Sequence, residues 1–321
     1  MDNYKHIPVL LNETIEGLNI NPDGIYVDCT MGGAGHSSEI LKRLSNKGKL
    51  YCFDQDDYAI KKGNERLSKI GTNYQIIKSN FYNIKQELSA LGVDKVDGIL
   101  YDLGVSSFQF DIGERGFSYH IEGDLDMRMD TNQYLKAYDI VNFYTFEELK
   151  NIFFKYGEEK YSGLIAKKIV KERENKLIST TTELSDIILS AVPSFVRRSG
   201  KHPAKKIFQA LRIAVNDELN VFESSLNDAL DILNVNGRIA VITFHSLEDR
   251  ICKNIFKNKI DIDIPAGLPI KESDIIRAFK LINNKVITAS KEELDINSRS
   301  HSAKLRIIER VCEGESRYGK F

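Results

Sequence analysis

The feature that most constrains this chain is the regular alternation of short apolar runs and amphipathic helical stretches in its first hundred residues. Strand patterns fall at 25–29, 49–53, 74–77 and 96–101, with helical patterns between them. A helix that connects two strands brings the chain back so that the next strand lies parallel to the first, through a right-handed crossover. The pattern therefore predicts a doubly wound, parallel α/β sheet.

The alternation stops after Asp102 and resumes about a hundred residues later. Between 108 and 205 we find no comparable strand run, but helical patterns at 145–156, 162–173 and 181–192. The last of these follows a Ser/Thr cluster suited to an N-cap. We predict a discontinuous domain, 1–108 and 207–321, with an inserted helical domain at 109–206.

The returning part of the chain has its own pattern. It predicts a long amphipathic helix over 208–233, a turn at Asn234–Gly237 and a buried strand at 238–244. A helix near 247–256 and a late strand at 303–308 complete the expected sheet domain.

Composition narrows the class of protein. Of 321 residues, 42% are hydrophobic and 28% charged, which is typical of a folded globular protein. With 45 Lys and Arg against 46 Asp and Glu, the net charge of -1 means that a nucleic-acid partner would need a local basic face. The four cysteines form no C-x-x-C pair and no run of eighteen apolar residues occurs, so we expect a cytoplasmic protein with no metal site and no membrane span.

The predicted strand ends point to a binding site, because ligands of such sheets bind beyond the carboxyl ends of the strands. Asp28 ends the first strand and precedes a glycine cluster of Gly32, Gly33 and Gly35. Glycines allow a sharp turn and a close approach of ligand to backbone, although a simple tight turn explains a glycine cluster too. The spacing is not G-x-G-x-x-G, so the usual dinucleotide fingerprint is missing.

Three later strands add polar or aromatic groups at the same edge. Asp54 follows the second strand, where an acid can accept hydrogen bonds from both ribose hydroxyls, and Phe81 follows the third, where a ring can lie against adenine or simply join the core. Asp102 ends the fourth strand. Together these residues predict an adenosine-containing cofactor, and the absent dinucleotide fingerprint favours S-adenosylmethionine over NAD.

Ordered motifs along nearly the whole chain resemble those of the MraW (RsmH) family. They are Tyr4–Leu11, Met31–Ser37, Asp102–Ser107, Glu114–Ser118, Leu125–Asp130, His202–Lys205, Phe208–Arg212 and Phe244–Arg250. One departure is Ala34, where many members of the family carry a second glycine.

The resemblance implies a class I, Rossmann-like methyltransferase with an inserted helical substrate domain. It implies transfer of a methyl group from S-adenosylmethionine to the exocyclic amine (N4) of a cytidine in small-subunit (16S) ribosomal RNA near the decoding centre, with the assembled small subunit as the substrate. It also implies cofactor contacts at Ala34, Gly35, His36, Asp54, Phe81, Asp102 and Gln109. Whether Asp102 acts on the acceptor amine as a catalytic residue or serves the cofactor remains open at this stage, as does the choice between a cofactor role and a helix-start role for His36.

A basic segment supplies the local positive face that RNA would need. Between Val196 and Arg212 there is no acid, and the candidate RNA-binding residues are Arg197, Arg198, Lys201, His202, Lys205, Lys206 and Arg212. Phosphate binding by these cations predicts salt-sensitive RNA binding. His245 and Ser246, after the strand at 238–244, are further candidates for the base pocket.

Three other functions remain possible from the sequence. A methyltransferase of the same fold could act on a small-molecule or protein amine, although the basic segment and the large insertion disfavour it. A NAD-dependent dehydrogenase is disfavoured by the glycine spacing. A non-catalytic RNA-binding or assembly protein is disfavoured by the presence of Asp54, Phe81 and Asp102 together.

Overall fold

The computed structural model describes residues 7–106, 109–110, 112–198, 200, 202–262 and 275–318. Three of the residues or motif parts named above lie outside these ranges: Lys201, Ser107, and the start of the first motif at Tyr4–His6. The chain divides into two compact units, unit 1 comprising residues 1–104 and 219–321, and unit 2 comprising residues 105–218. Unit 2 ends at residue 218, twelve residues later than the expected end of the insertion, because the helix that follows residue 203 packs with unit 2.

Unit 1 contains the predicted doubly wound α/β sheet. Its strands in the described part of the chain are β1 (Ile25–Asp28), β2 (Lys49–Asp54), β3 (Tyr74–Lys78), β4 (Val96–Asp102), β5 (Leu233–Thr243), β7 (Phe279–Leu281) and β8 (Lys304–Arg310); β6 (Ile275–Ile276) and β9 (Arg317–Tyr318) form a separate pair. The strand order is β3-β2-β1-β4-β5-β8-β7, and β8 runs antiparallel to both β5 and β7.

Alternate residues of each strand point to opposite sides of this sheet, and both sides are buried. Val27 and Tyr101 belong to one apolar cluster, while their neighbours Tyr26 and Leu100 belong to another. Helices of unit 1 cover the two faces. They are α1 (Leu11–Leu18), α2 (Gly35–Arg43), α3 (Asp57–Leu67), α4 (Ile84–Ala90), α11 (Glu218–Ile232) and α12 (Ser246–Ile260). A further short helix, α13 (Lys291–Ile296), has no buried residue.

Unit 2 is helical. Its helices are α5 (Ala137–Phe143), α6 (Phe146–Lys155), α7 (Ser162–Arg173), α8 (Thr181–Ala191), α9 (Ser194–Arg197) and α10 (Ala204–Asn216), around a core that includes Phe153, Ile165 and Leu211. Thr145 and Thr180 begin α6 and α8 with capping boxes, since each side chain accepts a backbone hydrogen bond that the helix start leaves unpaired. The N-cap predicted in the Ser/Thr cluster is confirmed.

Two predictions about the returning chain were wrong. The single helix expected over 208–233 is two helices, α10 and α11, separated by Asp217 in the left-handed region at φ 49°. Apolar spacing continues on both sides of this break, and short polar residues such as Asp tolerate the left-handed conformation, so periodicity alone does not reveal it. The turn expected at Asn234–Gly237 is an irregular part of β5, where Asn236 has φ 67° and the pairing with β4 shifts register.

Candidate functional site

The loop between β1 and α2 is fixed by backbone conformations that suit small residues. Gly32 has φ 48°, and Ala34, the N-cap of α2, has φ 56°. Both values lie in the left-handed region, where glycine has no steric penalty and alanine has a moderate one. This explains why a glycine suits position 34 and why alanine, with a single methyl group, can replace it. A Cβ at Gly35 would lie 2.3 Å from Pro8 Cγ, so the following position requires glycine for space.

Asp28 stabilises this loop through two hydrogen bonds. Its Oδ2 accepts a hydrogen bond from Ser37 Oγ at 2.5 Å, and its Oδ1 accepts one from the Thr30 backbone N–H at 3.0 Å. Burial raises the pKa of Asp28, while the Ser37 hydrogen bond opposes that rise. Asp28 therefore holds the two ends of the loop together.

Asp54 connects the glycine loop to the end of β2. Its Oδ2 accepts the Gly32 N–H at 2.8 Å, and its Oδ1 accepts the Asp56 N–H at 2.9 Å. Burial raises the pKa of Asp54 to about 6 despite these hydrogen bonds. The Gln55 backbone N–H also forms a hydrogen bond to this carboxylate. Three donors leave one of its about four acceptor positions for a further donor, such as a ribose hydroxyl.

The buried His36 and the half-buried Asp102 form a pair. His36 is 5% exposed, its Nε2 lies 3.0 Å from the Val9 carbonyl oxygen, and its Nδ1 lies 3.4 Å from Asp102 Oδ2. Because both ring nitrogens face oxygen acceptors, the doubly protonated imidazolium satisfies both contacts. Burial lowers the pKa of His36, but the Asp102 carboxylate, the charge of Asp28 and the hydrogen bond to the Val9 carbonyl together raise it by more, so the net shift is upward.

The second oxygen of Asp102 is the exception in this group. Oδ1 is buried and has no hydrogen-bond partner among the residues that the structure describes. The backbone N–H of the same residue donates to Thr30 Oγ1 at 2.7 Å, which fixes the end of β4 beside the end of β1. A buried carboxylate oxygen without a donor is costly, and such an atom at a strand end indicates a place for a ligand donor.

Phe81 and Gln109 were also predicted to contact the cofactor. Phe81 begins a short 3₁₀ turn after β3, is half-buried, and packs edge-on against Tyr101 at 5.7 Å between ring centroids. Gln109 belongs to unit 2, where it is buried and its Oε1 accepts the Ser106 N–H at 3.1 Å. The structure thus brings Gly33, Ala34, Gly35, His36, Asp54 and Asp102 together around one loop.

The sequence reasoning missed the residues that support this loop. The Arg66 guanidinium donates to the Gly33 carbonyl oxygen at 3.2 Å, and Thr30 and Val9 accept bonds as described above. Arg66 lies on α3, 33 residues from the loop, so no local pattern connects the two.

Two cations of the basic segment, Arg212 and Lys206, have hydrogen-bond and ion-pair partners within unit 2. Arg212 donates to both carboxylate oxygens of Glu218, at 2.8 and 2.7 Å, with both side chains largely buried. Lys206 donates to the Glu158 carbonyl oxygen at 2.9 Å and lies 3.7 Å from the carboxylate of Glu159. These two cations, predicted as RNA ligands, therefore stabilise unit 2.

Three further cations of the segment, Arg197, Arg198 and Lys205, are on the surface. Arg198 makes long contacts of 3.4 Å to Ser194, whereas the exposed side chains of Arg197 and Lys205 form no hydrogen bond or ion pair with described residues. His202 lies before α10, and its Nδ1 accepts the Ala204 N–H at 3.2 Å.

His245 and Ser246, proposed for the base pocket, lie at the start of α12. His245 is the N-cap, and its Nε2 is 3.0 Å from Glu248 Oε1. The Glu248 carboxylate accepts the backbone N–H groups of Phe244 and His245 in return. These contacts assign His245 to the capping of this helix.

Comparison with known proteins identifies the family. The family model described as the MraW methylase family matches residues 3–311. The chain belongs to the MraW methylase family. The resemblance seen in the motifs is confirmed, and membership classes the chain as a methyltransferase.

A relative of nearly the same length agrees with that assignment. The chain is 55% identical over 311 residues to the ribosomal RNA small subunit methyltransferase H of Exiguobacterium sibiricum, covering 97% of this chain and 99% of that protein. Among solved structures, it is similar to a proposed rRNA methylase of Clostridium thermocellum (TM-score 0.44, 12% identity, 95% of this chain and 100% of that one). It is also similar to a proposed methyltransferase of Streptococcus mutans in complex with SAH (TM-score 0.42, 13% identity, 95% and 100%).

No helix in the described part of the chain combines the length and the apolar composition needed to span a bilayer.

Proposed function

We propose that this methyltransferase transfers the methyl group of S-adenosylmethionine to N4 of a cytidine in small-subunit ribosomal RNA, near the decoding centre and within the assembled small subunit in the cytoplasm. Two findings support the substrate class: membership in the MraW family and a relative that is 55% identical and named as a ribosomal RNA small subunit methyltransferase. The buried, unpartnered Oδ1 of Asp102 is the observation that carries the chemistry.

The residues around the glycine loop suit this cofactor. Asp54 retains acceptor capacity for a ribose hydroxyl, and the half-buried ring of Phe81 offers a face to adenine. The first turn of α2, from Gly35, presents N–H groups without intrahelical acceptors to a carboxylate. Gly33, Ala34 and His36 shape this loop, and we assign Gln109 to the same cofactor site by family resemblance. When bound, S-adenosylmethionine supplies a methyl group that its sulfonium has already activated.

Asp102 is then free to act on the acceptor amine. The lone pair of a cytosine amine is delocalised into the ring, so the amine is a poor nucleophile. A carboxylate that accepts one amine hydrogen helps the nitrogen to become tetrahedral, and this hydrogen bond strengthens as positive charge develops on the nitrogen. His36 holds the other carboxylate oxygen, which fixes the direction in which Oδ1 points.

The exposed cations of unit 2 are proposed to bind the RNA backbone. Arg197 and Lys205 have no competing partners among the described residues, Arg198 is only loosely held, and Lys201 remains a prediction from the sequence. Lys206 and Arg212 keep the structural roles described above.

The test is methyl transfer from labelled S-adenosylmethionine to small subunits that lack the modification, followed by nucleoside digestion and mass spectrometry. We expect N4-methylcytidine from the wild-type protein and a fall in kcat of about 100-fold or more for Asp102→Ala, the usual cost of removing one transition-state hydrogen bond. Asp94→Ala, at an exposed position, is the control and should keep full activity. A label on another nucleoside contradicts the cytidine proposal, and an unchanged kcat for Asp102→Ala contradicts the role of that carboxylate.

A further inference from the structure

We propose that unit 2 contains a stacking site for an unpaired RNA base, formed by Tyr119, His120 and His202; this inference rests on the proposed function. Tyr119 and His202 stack with ring centroids 4.8 Å apart and an angle of 24° between the rings. His120 lies 4.2 Å from Tyr119 and 5.5 Å from His202. We call these three residues the ring cluster.

The ring cluster extends from the core of unit 2 to its surface. Tyr119 packs edge-on against the buried Phe208 at 5.7 Å, while Tyr119 and His202 are half-buried and His120 is exposed. The Tyr119 hydroxyl makes no hydrogen bond to any residue that the structure describes. The contact with Phe208 explains why Tyr119 is packed against the core. It does not explain why His120 and His202 lie against the same tyrosine at the surface.

The ring of His202 is held in place and neutral. Its Nδ1 accepts the Ala204 N–H, which leaves Nε2 as the protonated nitrogen of the neutral tautomer. Burial lowers the pKa of His202 and the neighbouring His120 lowers it further, while Asp186 opposes both effects. A neutral, oriented imidazole stacked on a phenol offers an aromatic surface whose position costs little entropy to maintain.

Cations flank the aromatic surface along the chain. Lys205 follows His202 by three residues and is exposed, and Arg197 precedes it by five and is exposed as well. Aromatic faces combined with nearby cations are the arrangement that single-stranded nucleic acid uses, since bases stack on the rings and phosphates meet the charges. An acidic peptide would need the cations but would gain nothing from the stacked rings, so the observations favour an RNA base.

A matched pair of variants distinguishes the loss of an aromatic ring from a defect in folding. Tyr119→Phe keeps the ring and its packing on Phe208, whereas Tyr119→Leu keeps apolar packing without an aromatic face. His120→Ala changes only an exposed ring and guards against a folding defect in the leucine variant. Lys205→Gln removes charge without touching the ring cluster.

The first measurement is the affinity for a fluorescent 12-nucleotide oligocytidylate, with inorganic polyphosphate and polyglutamate as anions that carry no bases. We expect Tyr119→Leu and His120→Ala to weaken oligocytidylate binding about tenfold, in line with one stacked base, and to leave polyphosphate binding unchanged. Tyr119→Phe should bind oligocytidylate as the wild type does. Lys205→Gln should weaken the binding of both oligocytidylate and polyphosphate. Equal losses for RNA and polyphosphate in Tyr119→Leu, or tighter binding of polyglutamate than of RNA, would overturn the stacking site.

A second measurement separates this inference from the proposed function. With unmodified small subunits as substrate, we expect Tyr119→Leu to raise KM for subunits about tenfold while the Kd for S-adenosylmethionine stays at the wild-type value. If the wild type transfers no methyl group, the proposed function fails, and the oligocytidylate result still decides the stacking site. If the wild type is active and both KM and oligocytidylate affinity are unchanged in Tyr119→Leu and His120→Ala, the stacking site alone is wrong.

Discussion

The carboxylates of unit 1 and the cations of unit 2 are held in contrasting ways. The buried Asp28 and the half-buried Asp54 take backbone or hydroxyl donors on both oxygens, and Asp102 takes a donor on one. In unit 2, Arg212 and Lys206 are tied to acids or carbonyl groups, whereas Arg197 and Lys205 are exposed. The difference teaches that the proposed cofactor site is built from carboxylates fixed by several donors, while the proposed RNA site relies on cations that have no partner among the described residues.

The largest expected effect is on stability in unit 2. Arg212→Ala leaves the largely buried Glu218 carboxylate without its partner, which should lower the free energy of unfolding by about 3 kcal/mol. Lys205→Ala should leave stability within about 0.5 kcal/mol of wild type, because the residue is exposed. Urea denaturation measures both.

RNA binding should depend on Lys205, although stability does not. Lys205→Ala is expected to reduce the salt dependence of RNA binding by about one unit of slope, as expected for the loss of one phosphate contact. Adding Glu218→Ala to Arg212→Ala should recover part of the lost stability. Equal stability losses for Arg212→Ala and Lys205→Ala would remove the distinction between structural and free cations.

The next effect concerns cofactor affinity in unit 1. Asp54→Ala should weaken S-adenosylmethionine binding by about 2 kcal/mol, or about 30-fold, because hydrogen bonds to a charged group are lost. Since the pKa of Asp54 is about 6, the wild-type affinity should fall as the pH drops through that value, when the carboxylate becomes protonated. Isothermal titration between pH 5 and 8 tests both points.

A neighbouring acid is the control for Asp54. Asp57→Ala changes an exposed side chain at the start of α3 and should keep both the affinity and its pH dependence. An unaltered Kd for Asp54→Ala would show that the ribose does not bind at this carboxylate.

A smaller effect is expected at His36. Its folded pKa is raised above the ordinary value, so the stability from its pair with Asp102 is fully present below about pH 6.5 and is lost as the pH rises through the folded pKa. Wild type should therefore exceed His36→Gln in stability by on the order of 1 kcal/mol more at pH 6 than at pH 9. Paired urea titrations at the two pH values provide the measurement, and a pH-independent difference would argue against the imidazolium.

The smallest effect is expected at Ala34. Replacement by glycine relieves the left-handed strain at φ 56° but removes a buried methyl group and adds chain entropy to the unfolded state. These terms oppose each other, so the free energy of unfolding should change by less than about 1 kcal/mol. Thermal denaturation of Ala34→Gly checks this, with Gly35→Ala as the contrast, since its added Cβ would clash with Pro8 and should destabilise clearly.

Much of the site was visible in the sequence because strand ends carry it. Asp28, Asp54 and Asp102 each stand at the end of an apolar run, and parallel strands place such ends at one edge of the sheet. The break at Asp217 and the short strand β7 were not visible, because apolar spacing continues across the break and three residues carry too little pattern.

The sequence by itself determined the doubly wound sheet, the glycine loop and the family, since these depend on residue periodicity and on motifs that are local in the chain. Only the tertiary structure decided which charges have partners. The pairing of His36 with Asp102 joins the first turn of α2 to the end of β4, that of Arg212 with Glu218 crosses a helix break, and the ring cluster brings Tyr119 next to His202 across more than eighty residues. Such contacts depend on distances that folding sets, and no spacing along the chain encodes them.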